Sequence, residues 1–528
     1  MIQIYLGILA FTGFLTPPFR IAEAEPGHHQ VCLRADMAPD GRFAIAWVDS
    51  LETDPGPNDV FIRFFDKDGA PLTDAYRVEK VHDTNWIYWP SLQMDSSGNA
   101  VLVWADNRTQ GTGNLPYIRY QRFDRDGNPT TPALTLREDV YLTYCRPIDI
   151  SLASNGDFAV ATSELVIYPN RSIQVQRFDA EGEPYCELFF PHEDFGETSI
   201  SFFVPQVALN DNGDLVVTWL DFLTSSDNYV LPKFQVFDAD NEPILPWEPM
   251  GHRPDEGDSV HDPTRVKPFW FDEDRFVLFW IDALLGRVAY DLVGRVFSDR
   301  GLTRYFFCDH LLPDDSAGPS GKLTGLYSID INVIPDPPFD AGVWAGHFVF
   351  AYSRVYLAPV DLDPAWEHQV GLTGEIHPGN WLQRFGYPFQ FSPEWGADTV
   401  MDRKSFREPA VAASADRIAW AYSRCNPDTI LEAWAMISDW DVPDDNMIEE
   451  EPMVNPSPIK LTPTLNRLSY EVPGEAQLSI YNSAGRRVAE QVVCGKGEWQ
   501  AVDIPSGVYF ARVENTQGSA RAKVVVIK

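Results

Sequence analysis

An all-β fold is predicted for this sequence: a seven-bladed β-propeller followed by a small immunoglobulin-like β-sandwich. A nine-residue unit, read GDLVVTWLD at 213–221, recurs seven times along the chain. A second unit, the turn FDxDG, keeps step with the first through five repeats, at intervals of 55 to 60 residues. After residue 457 the repeats stop, and short alternating segments separated by glycines follow. These three observations indicate a repeat array with a separate β domain behind it.

The seven copies begin at residues 41, 98, 156, 213, 274, 346 and 416. A unit of this length cannot bury its own apolar face, so the copies must stack on one another. Each repeat reads as four antiparallel strands, in which the glycine turn joins the first pair and the FDxDG turn joins the third strand to the fourth. Four strands repeated seven times predict a propeller. The last two spacings, 72 and 70 residues, imply insertions at 311–340 and 357–398.

A tryptophan stands at the sixth position after the glycine in four repeats, at Trp47, Trp104, Trp219 and Trp280. A side chain of this size at a repeated strand position can fill the space between blades or stack on a ligand. Because the position recurs, the sequence favours packing between blades.

The charge of the chain excludes some partners. Its 77 Asp and Glu against 41 Lys and Arg give a formal net charge of -36. No basic stripe is present to neutralise phosphates, so nucleic acid and anionic lipid are not expected ligands. No apolar run beyond the N-terminus reaches the roughly 18 residues of a transmembrane helix. We expect a monomer that is soluble outside the cell.

The N-terminus has the pattern of a secretory signal. An apolar run at 2–15 is followed by Ala22-Glu23-Ala24, which fits the small-x-small pattern of a cleavage site. The run lacks a preceding Lys or Arg, which departs from that pattern. The sequence thus predicts a signal peptide at 1–24, a propeller at 25–440, an acidic Pro-rich linker at 441–457 and a C-terminal domain at 458–528.

The six cysteines lack the spacing of a zinc site. Cys32 opens the first repeat and Cys425 follows the seventh. In a closed ring these two residues lie in neighbouring blades, so a disulfide between them would lock the closure. The alternative is a set of buried thiols.

The C-terminal segment contains QLSIYNSAGRRV at 477–488, IPSGVYFARV at 504–513 and KVVVIK at 523–528. In this order the segments resemble the type A C-terminal sorting domain of the bacterial type IX secretion system, over residues 455–528. The resemblance implies recognition by the outer-membrane secretion machinery and a location outside the cell or on its outer surface. It places the sorting signal at Gly485, Arg486, Gly507, Tyr509, Lys523 and Lys528. The alternative is a plain immunoglobulin-like accessory module.

The propeller repeats resemble the RFDxDGxP-type repeats of secreted bacterial surface proteins, a resemblance that implies no activity. A carboxylate stands two residues after the tryptophan position in the regular repeats, at Asp49, Asp106, Glu164, Asp221 and Asp282. A ring of carboxylates could bind calcium or a sugar hydroxyl. A strand-ending Asp also accepts hydrogen bonds in the following turn, and recurrence in every blade favours this structural role. The FDxDG turns lack the later Glu of an EF-hand loop, so they too are interpreted as hairpin turns.

Residues that differ between blades are better candidates for binding. Arg146, Arg265 and Arg407 precede the innermost strands of blades three, five and seven, and could together grip a carboxylate. Surface or intrablade salt bridges are the alternative for them. The aromatic residues Trp86, Trp89 and Tyr144 lie in loops that enter the blades, where they could stack on sugars or plug gaps. These loops share the face opposite the tight turns, which is the candidate binding face.

The sequence contains no HExxH, GxSxG or P-loop motif, and no catalytic residue can be assigned. We therefore expect a non-catalytic propeller that binds a glycan or a protein and needs no cofactor, with calcium as an open possibility. An extracellular sialidase-like glycan hydrolase and a structural surface protein are the alternatives.

Overall fold

A computed structural model describes residues 14–440 and 460–526, apart from gaps at 52–57, 81–85, 108–116, 139, 141–147, 168–169, 192–198, 224–228, 245–247, 250–265, 272, 274, 284–289, 299–305, 311–316, 319–320, 336–345, 358–363, 377–381, 391–394, 397–408, 426–429, 465, 483–486, 502–503, 506 and 516–517. At some strand positions it describes the backbone alone. The chain divides into two compact units, Met1–Ile448 and Glu449–Lys528.

The first unit contains seven antiparallel sheets, one for each sequence repeat. In chain order its strands are β1 (Phe19–Arg20), β2 (His28–Met37), β3 (Phe43–Leu51), β4 (Asn58–Phe65), β5 (Tyr76–Arg77), β6 (Trp86–Met94), β7 (Ala100–Asn107), β8 (Tyr117–Phe123), β9 (Leu134–Arg137), β10 (Ile148–Leu152), β11 (Phe158–Ile167), β12 (Asn170–Phe178), β13 (Ser199–Leu209), β14 (Leu215–Leu223), β15 (Tyr229–Phe237), β16 (Glu248–Pro249), β17 (Lys267–Trp270), β18 (Arg275–Ala283), β19 (Tyr290–Ser298), β20 (Phe306–His310), β21 (Ala317–Gly318), β22 (Gly321–Pro335), β23 (Gly346–Leu357), β24 (Pro364–Ile376), β25 (Leu382–Gln390), β26 (Trp395–Gly396), β27 (Ala410–Ala413), β28 (Ile418–Cys425) and β29 (Leu431–Ser438).

Blades one to five are β2–β5, β6–β9, β10–β12, β13–β16 and β17–β20, blade six is β21–β26, and blade seven is β27–β29 with β1. The first strand of each regular blade lies at the centre, and β2 contacts both β6 and β27, which closes the ring. The sequence prediction of a seven-bladed propeller is confirmed. Blade seven takes its fourth strand from β1, so residues that the sequence assigns to a signal peptide form part of the propeller in the structure.

The second strand of each blade is a nearly continuous apolar run because a neighbouring blade covers each of its faces. In β3, the residues from Phe43 to Asp49 are all buried. Trp104 packs in one core cluster with Val60 and Ile62 of the preceding blade. The tryptophans at the same position of blades one, four and five likewise pack against the preceding blade. The predicted role of these tryptophans between blades is confirmed.

Both tight turns of a blade lie on one face. Gly41 of the first turn in blade one lies beside Lys67 of the second turn, and Gly98 lies beside Arg125 in blade two. All four of the first-turn glycines at 41, 98, 156 and 213 have positive φ, between 86° and 94°. An L residue adopts this conformation only with strain, which explains glycine at the head of the repeated unit.

Blade six contains most of the sequence that the spacing predicts as insertions. Its first long strand, β22, spans 15 residues, and β24 spans 13 residues on the other side of β23. The register from Lys322 to Pro335 follows β23 along its whole length. The extra residues therefore lengthen the strands of this blade rather than forming only loops outside it.

Of the two cysteines for which the sequence left a disulfide open, Cys32 is buried, and the side chain of Cys425 lies outside the described part of the structure, so the pairing stays a hypothesis. Cys32 lies in a bulge of β2 with a φ of 54°, where the pairing with β3 shifts register. Val204 has the same φ at the corresponding bulge of β13. This cysteine is thus part of an irregularity that the inner strands share.

The second unit contains β30 (Lys460–Thr464), β31 (Arg467–Asn482), β32 (Arg487–Gln500), β33 (Gly507–Asn515) and β34 (Gly518–Val526). They form a five-stranded sheet in the order β30, β31, β33 and β34, with β32 on the other edge of β31. A register shift between Val472 and Glu475 bends β31, and β30 contacts β34 without pairing to it. The sheet closes on one apolar cluster that includes Leu478, Trp499 and Val513. This is the predicted small immunoglobulin-like sandwich.

Candidate functional site

The inner strands of the propeller surround a central cavity of about 340 Å³. It is lined by residues of β2, β6, β10, β13, β17 and β27. The lining side chains stand mainly five and seven residues before the turn glycine, or before the aspartate that replaces it. They are Arg34, Asp36, Ser91, Gln93, Asp149, Ser151, Ala208, Lys267, Phe269 and Val411. Equivalent positions thus carry a different residue in almost every blade.

Two carboxylates of the cavity wall hold neighbouring blades together. Asp36 Oδ2 accepts a hydrogen bond from the backbone N–H of Met94 in the following blade, at 2.6 Å. Asp149 Oδ2 accepts from the N–H of Val207 at 3.0 Å, and its Oδ1 accepts from the Ser91 hydroxyl at 3.2 Å. Because both carboxylates are buried, these bonds compensate their loss of solvation. Asp36 and Asp149 therefore join the inner strands of neighbouring blades, and Ser151 Oγ does the same by accepting from the Leu209 N–H at 2.8 Å.

The remaining polar lining is more open. Arg34, Gln93 and Lys267 are half-buried, as is Phe269. Lys267 Nζ lies 5.6 Å from the centroid of the Phe269 ring, a cation–π distance. Cations, an amide and an aromatic ring thus share one cavity, an arrangement that suits a ligand with hydroxyls and an apolar face.

Trp270 connects blades four and five at the cavity wall. The indole N–H of Trp270 donates to the Ala208 carbonyl at 3.0 Å, and its ring meets Phe276 edge-on with centroids 5.1 Å apart. Trp270 also lines the cavity. Its hydrogen bond fixes the strand that carries Lys267 and Phe269.

The repeated carboxylates are not turn residues, contrary to the preferred sequence interpretation. Asp49, Asp106 and Glu164 lie inside β3, β7 and β11, and each is buried. Each pairs with a basic side chain of its own blade or its neighbour. Asp49 bonds to His28 Nδ1, Asp106 lies 3.7 Å from Arg119 Nη1, and Glu164 accepts from both Nη atoms of Arg137. The side chains of Asp221 and Asp282 lie outside the described part of the structure.

Burial shapes the protonation of these pairs. The pKa of Asp49 is raised, because desolvation by burial outweighs the hydrogen bond and charge of His28. The pKa of Arg119 is lowered, again mainly by desolvation, with the charge of Asp106 acting in the opposite direction. Among the described residues no group of His, Cys, Asp and Glu has the geometry of a metal site. Calcium binding at these carboxylates stays a prediction.

The FDxDG turns are hairpin turns stabilised by their own aspartate, as the sequence indicates. The first Asp of each turn accepts hydrogen bonds from the backbone N–H groups two and four residues later, at 2.8 to 3.0 Å. These residues are Asp66, Asp124, Asp179 and Asp238. Hydrogen bonds from Asn128, with smaller backbone contributions, lower the pKa of Asp124. The turn glycine supplies positive φ, as at Gly69 with 83°.

The residues that the sequence proposes for ligand binding are not tested by the structure. Arg146, Arg265, Arg407 and Tyr144 lie outside the described residues. Trp86 and Trp89 lie in β6, where only their backbone is described. These six residues stay predictions. The cavity lining was missed by sequence reasoning, which looked at loops, although the variation at inner-strand positions was a readable signal for it.

The proposed sorting residues fall in different places. Gly485, Arg486 and Lys528 lie outside the described part of the chain. Gly507 begins β33, and the backbone of Lys523 pairs with Phe510 in β34. Tyr509 is 5% exposed, and its hydroxyl donates to the Pro505 carbonyl at 2.9 Å. This is the geometry of a tyrosine corner, so Tyr509 supports the fold of the domain from inside.

Comparison with solved structures gives distant likenesses. The sialidase of Trypanosoma rangeli in complex with the inhibitor DANA is 8% identical over 96% of this chain and 88% of its own, with a TM-score of 0.40. The α-L-arabinanase of Penicillium chrysogenum complexed with arabinobiose is 10% identical over 67% and 93%, with a TM-score of 0.39. A protein of unknown function from Dyadobacter fermentans is 11% identical over 80% and 99%, also at 0.39. Likenesses at these scores carry no functional argument.

The C-terminal unit has a specific match. Residues 455–528 match the secretion system C-terminal sorting domain. Comparison with curated proteins gave no match. In the described residues no helix is long and apolar enough to cross a membrane. The chain therefore carries a type IX sorting domain at 455–528 behind a β-propeller, and it is a protein of the cell surface or the extracellular space.

Proposed function

We propose that the exported propeller binds a glycan in its central cavity and does not cleave it. The observation that carries this proposal is the cavity of about 340 Å³, whose lining residues differ from blade to blade. Structural features of this chain repeat, as the tryptophans and turn aspartates do. Positions at which the blades carry different residues are not constrained by the repeat, so their side chains can be selected for ligand binding.

The chemistry of the lining supports a glycan. Arg34, Gln93 and Lys267 line the cavity with donor groups, whereas the Ser91 and Ser151 hydroxyls already bond to Asp149 and to the Leu209 N–H. Phe269 supplies an aromatic face of the kind on which a sugar ring stacks. The lining carries four carboxylates, those of Asp36, Asp95, Asp149 and Asp211, against the two cations Arg34 and Lys267. A lining with net negative charge repels an acidic sugar, so its charge and its mixed donors favour a neutral oligosaccharide over an acidic one.

Of the three buried carboxylates of the lining, Asp36 and Asp149 are engaged in holding neighbouring blades, and Asp95 accepts hydrogen bonds from Asn99 in its own turn. A glycosidase needs one carboxyl group to donate a proton and a second to act as nucleophile or base. The Asp36 and Asp149 oxygens that accept backbone N–H groups are committed to contacts between blades. This supports binding over hydrolysis as the role of the cavity.

The test uses the secreted full-length protein on an array of neutral and acidic oligosaccharides, followed by calorimetric titration of the best ligand. Lys267→Ala and Phe269→Ala should each weaken binding by about tenfold or more. The exposed Lys67 and the 46% exposed Tyr185 provide matched controls, Lys67→Ala and Tyr185→Ala, which should bind as the unmodified protein does. Absence of any glycan ligand, or binding that ignores the cavity variants, contradicts the proposal. Release of reducing sugar from the ligand would instead support the sialidase-like hydrolase.

The binding that we propose requires no cofactor. Asp49, Asp106 and Glu164 already have basic side chains as partners, so a calcium ion would have to displace them. Calcium and a chelator are therefore expected to give the same melting temperature and the same ligand affinity. A calcium-dependent rise in either would establish the metal site that the sequence left open.

A further inference from the structure

Residues 14–22, here termed the closing segment, form the fourth strand of blade seven. Within it β1 pairs antiparallel with β29, Phe19 opposite Ala435 and Arg20 opposite Trp434. The pairing extends beyond β1, since Leu15 N–H donates to the Ile437 carbonyl at 2.8 Å and Ile21 N–H donates to Ala433 at 2.9 Å. The other strands of this blade come from residues 410–438. The two ends of the propeller sequence thus meet in one sheet.

The closing segment is also packed against blade one. Ile21 is completely buried, in the same cluster as Ala433 and Ala435. The Phe19 ring lies 5.8 Å from Phe65, and Arg63 Nη1 donates to the Ile21 carbonyl at 2.7 Å. Removal of the segment would leave this guanidinium without that acceptor.

Polar contacts tie the segment to β29. Arg20 Nη2 lies 3.2 Å from the Glu432 carboxylate, and its guanidinium carbon lies 5.4 Å from the centroid of the Trp434 ring. The backbone N–H of Ile437 donates to the Thr16 hydroxyl at 3.0 Å. The closing segment therefore combines apolar burial, backbone pairing and ionic contacts, as a permanent structural strand does.

We infer that the closing segment stays on the mature protein and that leader cleavage falls before Phe14, not after Ala24. Cleavage after Ala24 would remove the outer strand of blade seven and expose the backbone groups of β29 and the side chains beneath Ile21. The small residues of the apparent cleavage pattern have another explanation. Ala22 is 8% exposed and packs in the core cluster between blades seven and one, so a small side chain at this position also serves packing. The propeller then begins at residue 14 rather than at residue 25.

The first test is the N-terminal sequence and intact mass of the secreted protein, purified from its native host. The expected terminus lies at or before Phe14, and a terminus at any later residue overturns the inference. Ala24→Phe adds a control that separates the two cleavage positions, because a bulky residue at the last position of the pattern blocks leader cleavage there. We expect the same mature terminus for this variant. Accumulation of an uncleaved precursor would place the cut after Ala24.

The second test asks whether the segment holds the folded protein together. Ile21→Ala is expected to lower the melting temperature of the secreted protein by roughly 5 °C, because Ile21 is fully buried. Leu15→Ala is the matched control in the same segment, because Leu15 is 48% exposed, and it should leave the melting temperature within about 1 °C. Equal melting temperatures for the two variants would overturn the structural role even if the terminus lies before Phe14.

Discussion

Two interfaces between blades, here called seams, contain the same kind of contact, a turn glycine against an aromatic ring. One seam lies between blades two and three, and the other lies between blades seven and one. At the first seam, Gly182 of the FDxDG turn lies against the Tyr120 ring of the preceding blade, where an added Cβ would come within 1.7 Å of the hydroxyl oxygen. At the second, Gly69 lies against Phe19, where an added Cβ would come within 2.7 Å of the nearest ring carbon. Both glycines have positive φ, 89° and 83°.

The seams differ in how the aromatic residue is connected. Tyr120 belongs to β8, in the middle of a blade that is contiguous in sequence. Phe19 belongs to a segment whose strand partner, β29, is at the other end of the propeller sequence. The entropy of closing such a long loop grows slowly with its length, so the closing seam need not be much weaker at equilibrium. It is nevertheless the seam that can open without breaking any other blade, and we expect it to open first.

Glycine substitutions should have the largest effects and should rank the two seams. Gly182→Ala forces both a strained φ and a clash with a buried ring, and should destabilise the propeller by about 3 kcal/mol or more. Gly69→Ala should cost less, because Phe19 can withdraw with the closing segment. Gly27→Ala is the control, with a φ of 81° and nothing within 4 Å of the added Cβ. It should cost only about 1–2 kcal/mol in urea unfolding. A larger loss for Gly69→Ala than for Gly182→Ala would reverse the proposed order of the seams.

Aromatic truncation should separate global from local opening. Phe64 is 1% exposed and lies beneath Gly127 at the seam of blades one and two, so Phe64→Ala should cost about 3–5 kcal/mol. Phe19 is less buried, and Phe19→Ala should cost less in global stability. Hydrogen exchange provides the distinguishing measurement. Phe19→Ala should accelerate exchange in Leu431–Ser438 selectively, whereas Phe64→Ala should accelerate it throughout the propeller. Unchanged exchange of that strand in Phe19→Ala would show that the closing seam does not open locally.

Features that repeat were predictable from the sequence. The glycine turns, the Trp104-type residues between blades and the Asp124-type turns all recur at fixed spacing, and local chemistry explains each of them. One sequence shows each repeated position several times, so the residue preferred at that position can be identified. The number of blades could be predicted for the same reason, whereas the sorting domain could be predicted from the order of its motifs.

Features that depend on distant contacts were not predictable. The apolar run at 2–15 has the pattern of a secretory signal in the sequence, and only the bridge between Phe14 and Ser438 of β29 shows that its last residues join blade seven. The partner of Asp106 is Arg119 in the adjacent strand, which spacing alone does not reveal. The cavity lining comes from six strands that are brought together only by ring closure. In each case the missing information is which residues the fold makes neighbours.

Arginine substitutions should compare the polar contacts of the two kinds of seam. Arg122 Nη2 donates to the Gly156 carbonyl in blade three at 2.8 Å, and Arg63 Nη1 donates to Ile21 in the closing segment at 2.7 Å. Lysine keeps the charge but loses the planar fork, so Arg122→Lys and Arg63→Lys should each cost about 1–2 kcal/mol in urea unfolding. Arg77→Lys is the control, because the Arg77 side chain is 52% exposed. If Arg63→Lys behaves as this control does, the bond to the closing segment contributes nothing to stability.

The smallest effect should come from protonation of Asp49, which lies near the closing seam. Its partner His28 precedes His29, whose Nδ1 accepts from Leu431 N–H at 3.2 Å. Burial raises the folded-state pKa of Asp49 above that of the unfolded chain, so the folded protein binds this proton more tightly. The stability contribution is therefore present below the unfolded pKa and is lost as the pH rises through the folded pKa.

Asp49→Asn carries no charge at any of these pH values. Its stability relative to the unmodified protein should therefore improve as the pH rises from about 4, near the pKa of Asp in the unfolded chain, toward neutral. Urea unfolding across this range measures the difference. His28→Gln removes the group that lowers the pKa of Asp49, so this variant should lose stability more steeply with rising pH than the unmodified protein does. A stability of Asp49→Asn relative to the unmodified protein that falls as the pH rises would mean that His28 outweighs burial. The closing seam would then be strengthened at neutral pH rather than weakened.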